Sequence, residues 1–244
     1  MLVAQLSDIH ARAGGSGLVA LTRAVDWLQG LAPDAVVVTG DLVDGGWSEG
    51  YAVIVHSLDR LGCPWLVLPG NADQPEAMRA ALPDMPLGGP LHFDHRIAGV
   101  RLIGLDVTIA GAASGDVRPH LDWLAERLGE GGETILLFTH QHLFPSGIAP
   151  MDATMCAGAA MLEALLLAAA SKPALVASGH VHRAMARLFA GVPAHICPSL
   201  CPANPLLLDP ARVPPVADPP AFLIHDVRDG GVTTSHVGLA GSDD

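Results

Sequence analysis

Residues 35–41 read Ala35-Val36-Val37-Val38-Thr39-Gly40-Asp41, an apolar run that ends in a glycine and a carboxylate. The same pattern lies on either side of it. Val3-Ala4-Gln5-Leu6 precedes Ser7-Asp8, and Trp65 to Leu68 precedes Pro69-Gly70-Asn71. Short apolar runs of this kind read as strands buried on both faces, with polar loops at their carboxyl ends. Helical spacing of apolar residues falls between them, over about Gly17 to Leu28, Ser48 to Leu61 and Gln74 to Leu82. Strand and helix in alternation predict βαβ units and a largely parallel sheet, an α/β fold.

The second half continues the alternation: a strand at Arg101 to Leu105, a helix near Pro119 to Leu128, a strand at Thr134 to Phe138, a helix near Cys156 to Ala170 and a strand at Ala174 to Ala177. The pattern then changes. Met185 to Phe189, Ala194 to Cys197, Ala221 to His225 and Val232 to Val237 read as hairpin strands separated by Gly and Pro, and predict a second, more antiparallel sheet. Cys201 to Pro220 is Pro-rich and has little periodicity; it reads as a loop closing over one edge, with a flexible segment as the alternative. Residues 221–244 read as a C-terminal hairpin and tail. With 244 residues, half of them apolar, one domain spanning 1–244 is expected.

Composition narrows the function. Thirteen Lys+Arg against 25 Asp+Glu give a formal charge of -12, which argues against a partner that is a nucleic-acid polymer or an anionic membrane. A small anionic substrate stays open, because bound cations reverse the field within a cleft. Cys63, Cys156, Cys197 and Cys201 form no C-x-x-C pair, as suits a reducing cytoplasm. The chain opens on the strand-like Leu2 to Leu6, a start from which no export signal is expected, and Met161 to Ala170 is too short to cross a bilayer.

In α/β sheets ligands bind beyond the carboxyl ends of the strands. Five such ends carry metal-type groups: Asp8-Ile9-His10, Gly40-Asp41, Gly70-Asn71, Thr139-His140 and Gly179-His180-Val181-His182. Carboxylate, imidazole and amide oxygen together suit borderline or hard transition-metal ions. In an extended segment alternate residues project to one side, which would bring both donors of D-x-H and of H-x-H to one centre. Glycine before Asp41, Asn71 and His180 would let the backbone turn sharply at each strand end. Singly each piece has a plainer reading, as a cap, a turn former or a hydrogen-bonded histidine. Five in order at strand ends favour the metal reading.

This order resembles the calcineurin-like metallophosphoesterase superfamily, whose pattern is D-x-H, GD, GN followed by H, a further H, and GHxH. Within it the chain is most similar to class III cyclic nucleotide phosphodiesterases and the related glycerophosphodiesterases, through Leu-Ser-Asp-Ile-His, Thr-Gly-Asp-Leu-Val-Asp, Leu-Pro-Gly-Asn and Gly-His-Val-His. Thr139-His140-Gln141-His142-Leu143-Phe144-Pro145 and Met151-Asp152 resemble that group's histidine-rich segment and the MD pair after it. The likeness covers Met1 to about Ser199. It implies a four-layer α/β-β/α sandwich with two mixed sheets flanked by helices. It also implies two divalent or trivalent ions (Mn, Fe, Zn or Co), with Asp8, His10 and His182 on the first, Asn71, His140 and His180 on the second, and Asp41 bridging. A homodimer is the expected assembly, from the family likeness and the frequency of two-fold symmetry.

Two ions roughly 3.5–4 Å apart clamp a phosphoryl group, acidify a bridging water and stabilise the attacking and leaving oxygens of an in-line displacement. No side-chain nucleophile is needed, so Ser7, Ser178 and Ser199 read as capping or packing residues. The family has histidine after GN, to orient phosphate or protonate the leaving group; this chain has Ala72. Three explanations follow: a neighbour such as His142 compensates, the enzyme is weakened or repurposed, or the residue was substituted. His142, two residues after His140, faces the same cleft if that segment is extended, and is otherwise a solvated loop histidine. His56, His92, His95, His120, His195, His225 and His236 fit no ligand spacing. Cys197 and Cys201 read as buried structural thiols rather than a metal pair.

Protein phosphatases of the superfamily carry arginine in GD-x-x-D-R-G, where this chain has Gly40-Asp41-Leu42-Val43-Asp44-Gly45-Gly46. Without that bidentate clamp a dianionic monoester is disfavoured. The expected substrates are small phosphodiesters, cyclic nucleotides first and glycerophosphodiesters second. The alternative is a catalytically weak metal-binding scaffold, for which Ala72 is the argument.

Overall fold

A computed structural model describes residues 1–229 and 231–239. The predicted alternation holds through β1 (Leu2–Leu6), α1 (Ser16–Leu31), β2 (Ala35–Thr39), α2 (Gly50–Asp59), β3 (Trp65–Leu68) and α3 (Pro75–Ala81). The second half runs β4 (Phe93–Ile97), β5 (Val100–Gly104), α4 (Leu121–Leu128), β6 (Thr134–Phe138), the single turn α5 (Ala149–Asp152), α6 (Ala159–Ala168) and β7 (Leu175–Ser178). Two hairpins follow, β8 (Met185–Phe189) with β9 (Val192–Ile196), and β10 (Ala221–Arg228) with β11 (Gly231–Gly238).

These strands build two sheets, ordered β11-β10-β1-β2-β3 and β4-β5-β6-β7-β9-β8. Within the first, β1, β2 and β3 are parallel and β10 and β11 join antiparallel. Within the second, β5, β6, β7 and β9 are parallel, with β4 and β8 antiparallel at the edges. Both sheets are therefore mixed.

Alternation along each strand separates the layers, because successive side chains point to opposite faces. Val3 and Val37 of the first sheet meet Leu102, Leu136, Phe138 and Leu175 of the second in a shared inner core. Their neighbours Ala4, Leu6, Val36 and Val38 turn outward onto α1, α2 and α3. Ile103, Ile135, Leu137 and Val176 do the same onto α4 and α6. Helix α1 buries Ala20, Leu21, Ala24, Val25 and Leu28, a stripe at helical spacing, and stops where Ala32 enters the left-handed region and donates to the Leu28 carbonyl. The result is the expected four-layer α/β-β/α sandwich.

Two expectations need correction. The tail strands do not form a second sheet of their own. The β8-β9 hairpin extends the sheet of β7, and the β10-β11 hairpin covers β1 in the other sheet. Periodicity reports a strand's faces but not which open edge it pairs with, and the parallel strands offer several, at β1, β3 and β7. Strand β4 was missed because only Phe93 of its five residues is buried, leaving no apolar run to detect. The stretch 201–220 has no regular structure apart from turns. It is tied down by Arg183, which donates to the Asn204 carbonyl and, through both terminal nitrogens, to the Asp218 carboxylate at 3.0 Å each. Leu206 and Leu207 pack on the outer core of the second sheet.

Candidate metal centre

Parallel pairing sets the carboxyl ends of β1, β2 and β3 side by side in one sheet and those of β6 and β7 in the other, and contacts such as His180 N–H to Asp8 Oδ2 bring the two sets together. Backbone hydrogen bonds stitch the loops there: the Asp8 N–H donates to Gly40 O at 3.0 Å, His10 N–H to Asp41 O at 2.9 Å and Gly179 N–H to His140 O at 2.9 Å. The convergence within D-x-H and H-x-H does not come from an extended backbone. Asp8, His10, Asp41, His180 and His182 all have positive φ, at 52°, 46°, 51°, 71° and 58°. Each sits in the left-handed region that non-glycine residues avoid, a cost of about 1–3 kcal/mol apiece that surrounding contacts must hold. The glycines also serve a different purpose from the expected one. Only Gly40 of the three uses a positive φ, whereas a Cβ on Gly179 would lie 1.9 Å from Ser7 Oγ. Close approach decides that position, not chain reversal.

Donor atoms gather in three groups: His10, His182 and Cys201 form one, and the other two share one carboxylate. Asp8, His10, Asp41 and His182 form the first of these two and Asp41, His140 and His180 the second, with the donor atoms of each within 4.8 Å of one another. His10 Nε2 lies 3.3 Å and His140 Nε2 3.5 Å from Asp41 Oδ2. His182 Nε2 lies 3.2 Å from Asp8 Oδ1. Asn71 Oδ1 approaches His140 Nε2 at 3.2 Å, so Asn71 joins the second group. The residue set read at the five strand ends is thus brought together.

Each imidazole is gripped on its far nitrogen. His10 Nδ1 meets Asp44 Oδ1 at 3.2 Å, His140 Nδ1 donates to Thr39 O at 2.6 Å, His180 Nε2 meets Thr154 Oγ1 at 2.8 Å, and His182 Nδ1 meets Cys201 Sγ at 3.2 Å. Such contacts fix which nitrogen faces the centre. The Asp8 carboxylate is held likewise: Ser7 Oγ and His180 N–H donate to Oδ2 at 2.6 and 3.0 Å. Sequence reading missed Asp44, Thr154 and Cys201, and took Ser7 for a capping or packing residue. Only Ser7 and Asp44 carry a signal, since they lie beside Asp8 and within the GD segment.

Asp73 was also passed over. It is buried and accepts from the backbone N–H groups of Gly70, Leu42 and Val43 and from the Tyr51 hydroxyl, binding the β2 and β3 loops together. Burial and the nearby Asp41 carboxylate push its pKa up to about 6. Position 72 itself keeps a backbone contact: Ala72 N–H donates to Asp41 Oδ1 at 2.7 Å. His142 does not line the cleft. It is fully buried, stacked at 5.6 Å on His180, with Nε2 3.5 Å from Asp152 Oδ1 and no hydrogen bond to either ring nitrogen.

Two buried carboxylates so close together demand positive charge. Burial opposes it, yet the Asp41 carboxylate holds both His10 and His140 up at about 9, and Asp8 holds His182 up at about 11. The imidazolium rings in turn draw Asp41 well below the carboxylate range against its own desolvation. Burial, with His140 beside it, pushes His180 down to about 3. Asp8 Oδ1 is buried and has no hydrogen-bond partner, and His10 Nε2 and His182 Nε2 face each other at 3.2 Å. A cation among these oxygen and nitrogen donors satisfies all of this, so the residues fit transition-metal ions. Beside the first group a cleft of about 450 Å³ opens, lined by His10, His182, Arg12, Asp44, Cys201 and Asn204 among others.

The chain is 32% identical over 230 residues to a probable cyclic nucleotide phosphodiesterase of Synechococcus sp., covering 87% of this chain and 84% of that one. It is 27% identical to a probable glycerophosphodiester phosphodiesterase of Arcobacter nitrofigilis, over 99% of this chain and 94% of the relative. In fold it is similar to a dimetal phosphatase from Danio rerio, with a TM-score of 0.75 at 13% identity, covering 98% of this chain and 96% of that structure. The calcineurin-like phosphoesterase model matches residues 1–184, and the chain belongs to that family of phosphoric ester hydrolases.

Proposed function

We propose that the chain is a binuclear metal-dependent phosphodiesterase acting on small diesters, cyclic nucleotides first and glycerophosphodiesters second. Asp8, His10 and His182 hold the first ion, Asn71, His140 and His180 the second, and Asp41 bridges them. The observation that carries this reading is the pair of donor groups joined at Asp41. Bound there, ions such as Mn, Fe, Zn or Co supply Lewis-acid activation of water and charge stabilisation on phosphate.

The chain's own residues prepare that chemistry. Ala72 N–H occupies Asp41 Oδ1 and leaves Oδ2 facing His10 and His140, while Ser7 and His180 N–H occupy Asp8 Oδ2 and leave Oδ1 free. Asn71 would offer its neutral amide oxygen to the second ion, and its amide N–H groups would donate to phosphate. His142, enclosed behind His180, supports that ring rather than reaching substrate. Alanine at 72 supplies no acid, so leaving-group protonation falls to solvent.

Three observations favour diesters. The arginine that a monoester phosphatase places after GD-x-x-D is Gly45 here. The cleft lies within the roughly 300–1,000 Å³ of small-molecule sites. The relatives are named as phosphodiesterases of cyclic nucleotides and glycerophosphodiesters. No helix among the described residues is long and apolar enough to cross a membrane, and the four unpaired cysteines support a cytoplasmic location.

The test is hydrolysis of bis(p-nitrophenyl) phosphate and of 3′,5′-cyclic AMP by metal-stripped protein reloaded with Mn, as wild type and as Ala72→His. Metal-dependent turnover is expected, rising about 10²–10⁴-fold in the variant as the general acid returns. Two bound ions with no turnover from either form would replace the enzyme with a scaffold.

A further inference from the structure

We infer that Cys201 is a positioning residue of the metal centre, its sulfur holding the Nδ1 edge of His182 so that Nε2 faces Asp8 and His10. The inference rests on the ligand set proposed above. A thiol has one hydrogen to donate and a sulfur that accepts weakly. The Cys201 thiol donates to Pro202 O at 3.6 Å, which leaves its sulfur to accept from His182 Nδ1 at 3.2 Å. Imidazole with its hydrogen on Nδ1 presents a bare Nε2, and that atom lies 3.2 Å from Asp8 Oδ1 and 3.2 Å from His10 Nε2.

The cysteine is held where this contact needs it. Its own N–H donates to Asp8 O at 3.0 Å, the preceding Leu200 N–H donates to Ser7 O at 3.1 Å, and Ser199 Oγ donates to the Cys201 carbonyl at 2.8 Å. The backbone that carries the thiol is thereby pinned to the loop that carries Asp8. Of the four imidazoles, His10 leans on a carboxylate, His140 on a carbonyl and His180 on a hydroxyl, all oxygen acceptors; His182 alone leans on sulfur. Sulfur is the weakest acceptor of the four, which makes the first site the one most sensitive to loss of its partner.

Two full-length variants separate positioning from packing. Cys201→Ser keeps an acceptor, and Cys201→Val fills a similar volume without one. Manganese binding is measured by titration calorimetry on metal-stripped protein, and the histidine side chains of the zinc-loaded protein by ¹H–¹⁵N correlation. Expected are two ions on wild type, first-site affinity about 10–100-fold weaker in Cys201→Val with the second site unchanged, and recovery in Cys201→Ser. The His182 Nδ1–H resonance should persist in wild type and Cys201→Ser and be lost to exchange in Cys201→Val. Wild-type affinity at both sites in Cys201→Val would overturn the inference, as would equal weakening of both, which marks a packing role. A wild type that binds no ions would overturn the proposed ligand set itself, and this inference with it.

Discussion

The backbone N–H of Ala72 donates to Oδ1 of Asp41 at 2.7 Å, so the position that lacks the family's histidine still serves the carboxylate shared by both donor groups. Side-chain and main-chain roles at residue 72 are separable. Ala72→Gly keeps the N–H and should retain both ions. Ala72→Pro removes it, leaving a buried carboxylate oxygen short of a donor at a cost of about 1–3 kcal/mol. Metal content by plasma emission spectrometry should fall in the proline variant only.

Close approach at Gly179 makes a second prediction. A methyl group there would meet Ser7 Oγ and Asp8 Oδ2 at 1.9 and 2.8 Å, both on a loop pinned by backbone bonds. Gly179→Ala should destabilise the protein by about 1–3 kcal/mol through overpacking and displace Asp8. Thermal denaturation would show the loss in stability, and calorimetry the loss of the first ion before the second.

Thr154 Oγ1 lies 2.8 Å from His180 Nε2, on the far side of the ring from the centre. Thr154→Val keeps the side chain's shape and removes the hydroxyl. Second-site affinity should drop about 10–100-fold while the first site is unaffected, the mirror image of the expectation at Cys201. Unchanged second-site binding would show that the hydroxyl does not orient His180.

His225 is buried beside Phe138 of the inner core, with Nε2 against Gln5 Oε1 at 3.1 Å and Nδ1 against Thr234 Oγ1 at 3.0 Å. Burial, with His195 nearby, pushes it down to about 3 from an ordinary 6.5. A depressed folded-state pKa means that only the unfolded chain binds the proton between those values. Stability is therefore fully present above about pH 6.5 and lost as pH falls toward 3, at up to about 1.4 kcal/mol per pH unit from this group. Urea denaturation from pH 8 to 4 should show a shallower acid slope in His225→Gln, from a lower starting stability.

The apolar runs at β1, β2, β3, β6 and β7 were legible because buried parallel strands leave an unbroken signal, and the groups at their carboxyl ends followed from where α/β sheets place ligands. Helix ends shifted by a few residues, as at α2, where 48–61 was expected and Gly50–Asp59 is helical. Other features had no local signature. Strand β4 is polar, the hairpins could have joined either sheet, and the partners Thr154 and Cys201 lie far from their histidines in sequence.

By itself, then, the sequence determined the alternation of strand and helix, the donor types and the strand ends that carry them, since each depends on residues close together in the chain. Tertiary structure alone decided that His142 is buried and stacked on His180, and that a sulfur backs His182. Those relations depend on how two sheets meet and which open edge each hairpin fills. Contacts between residues 19 to 172 positions apart, such as Cys201 with His182 or His182 with His10, leave no periodic trace along the chain.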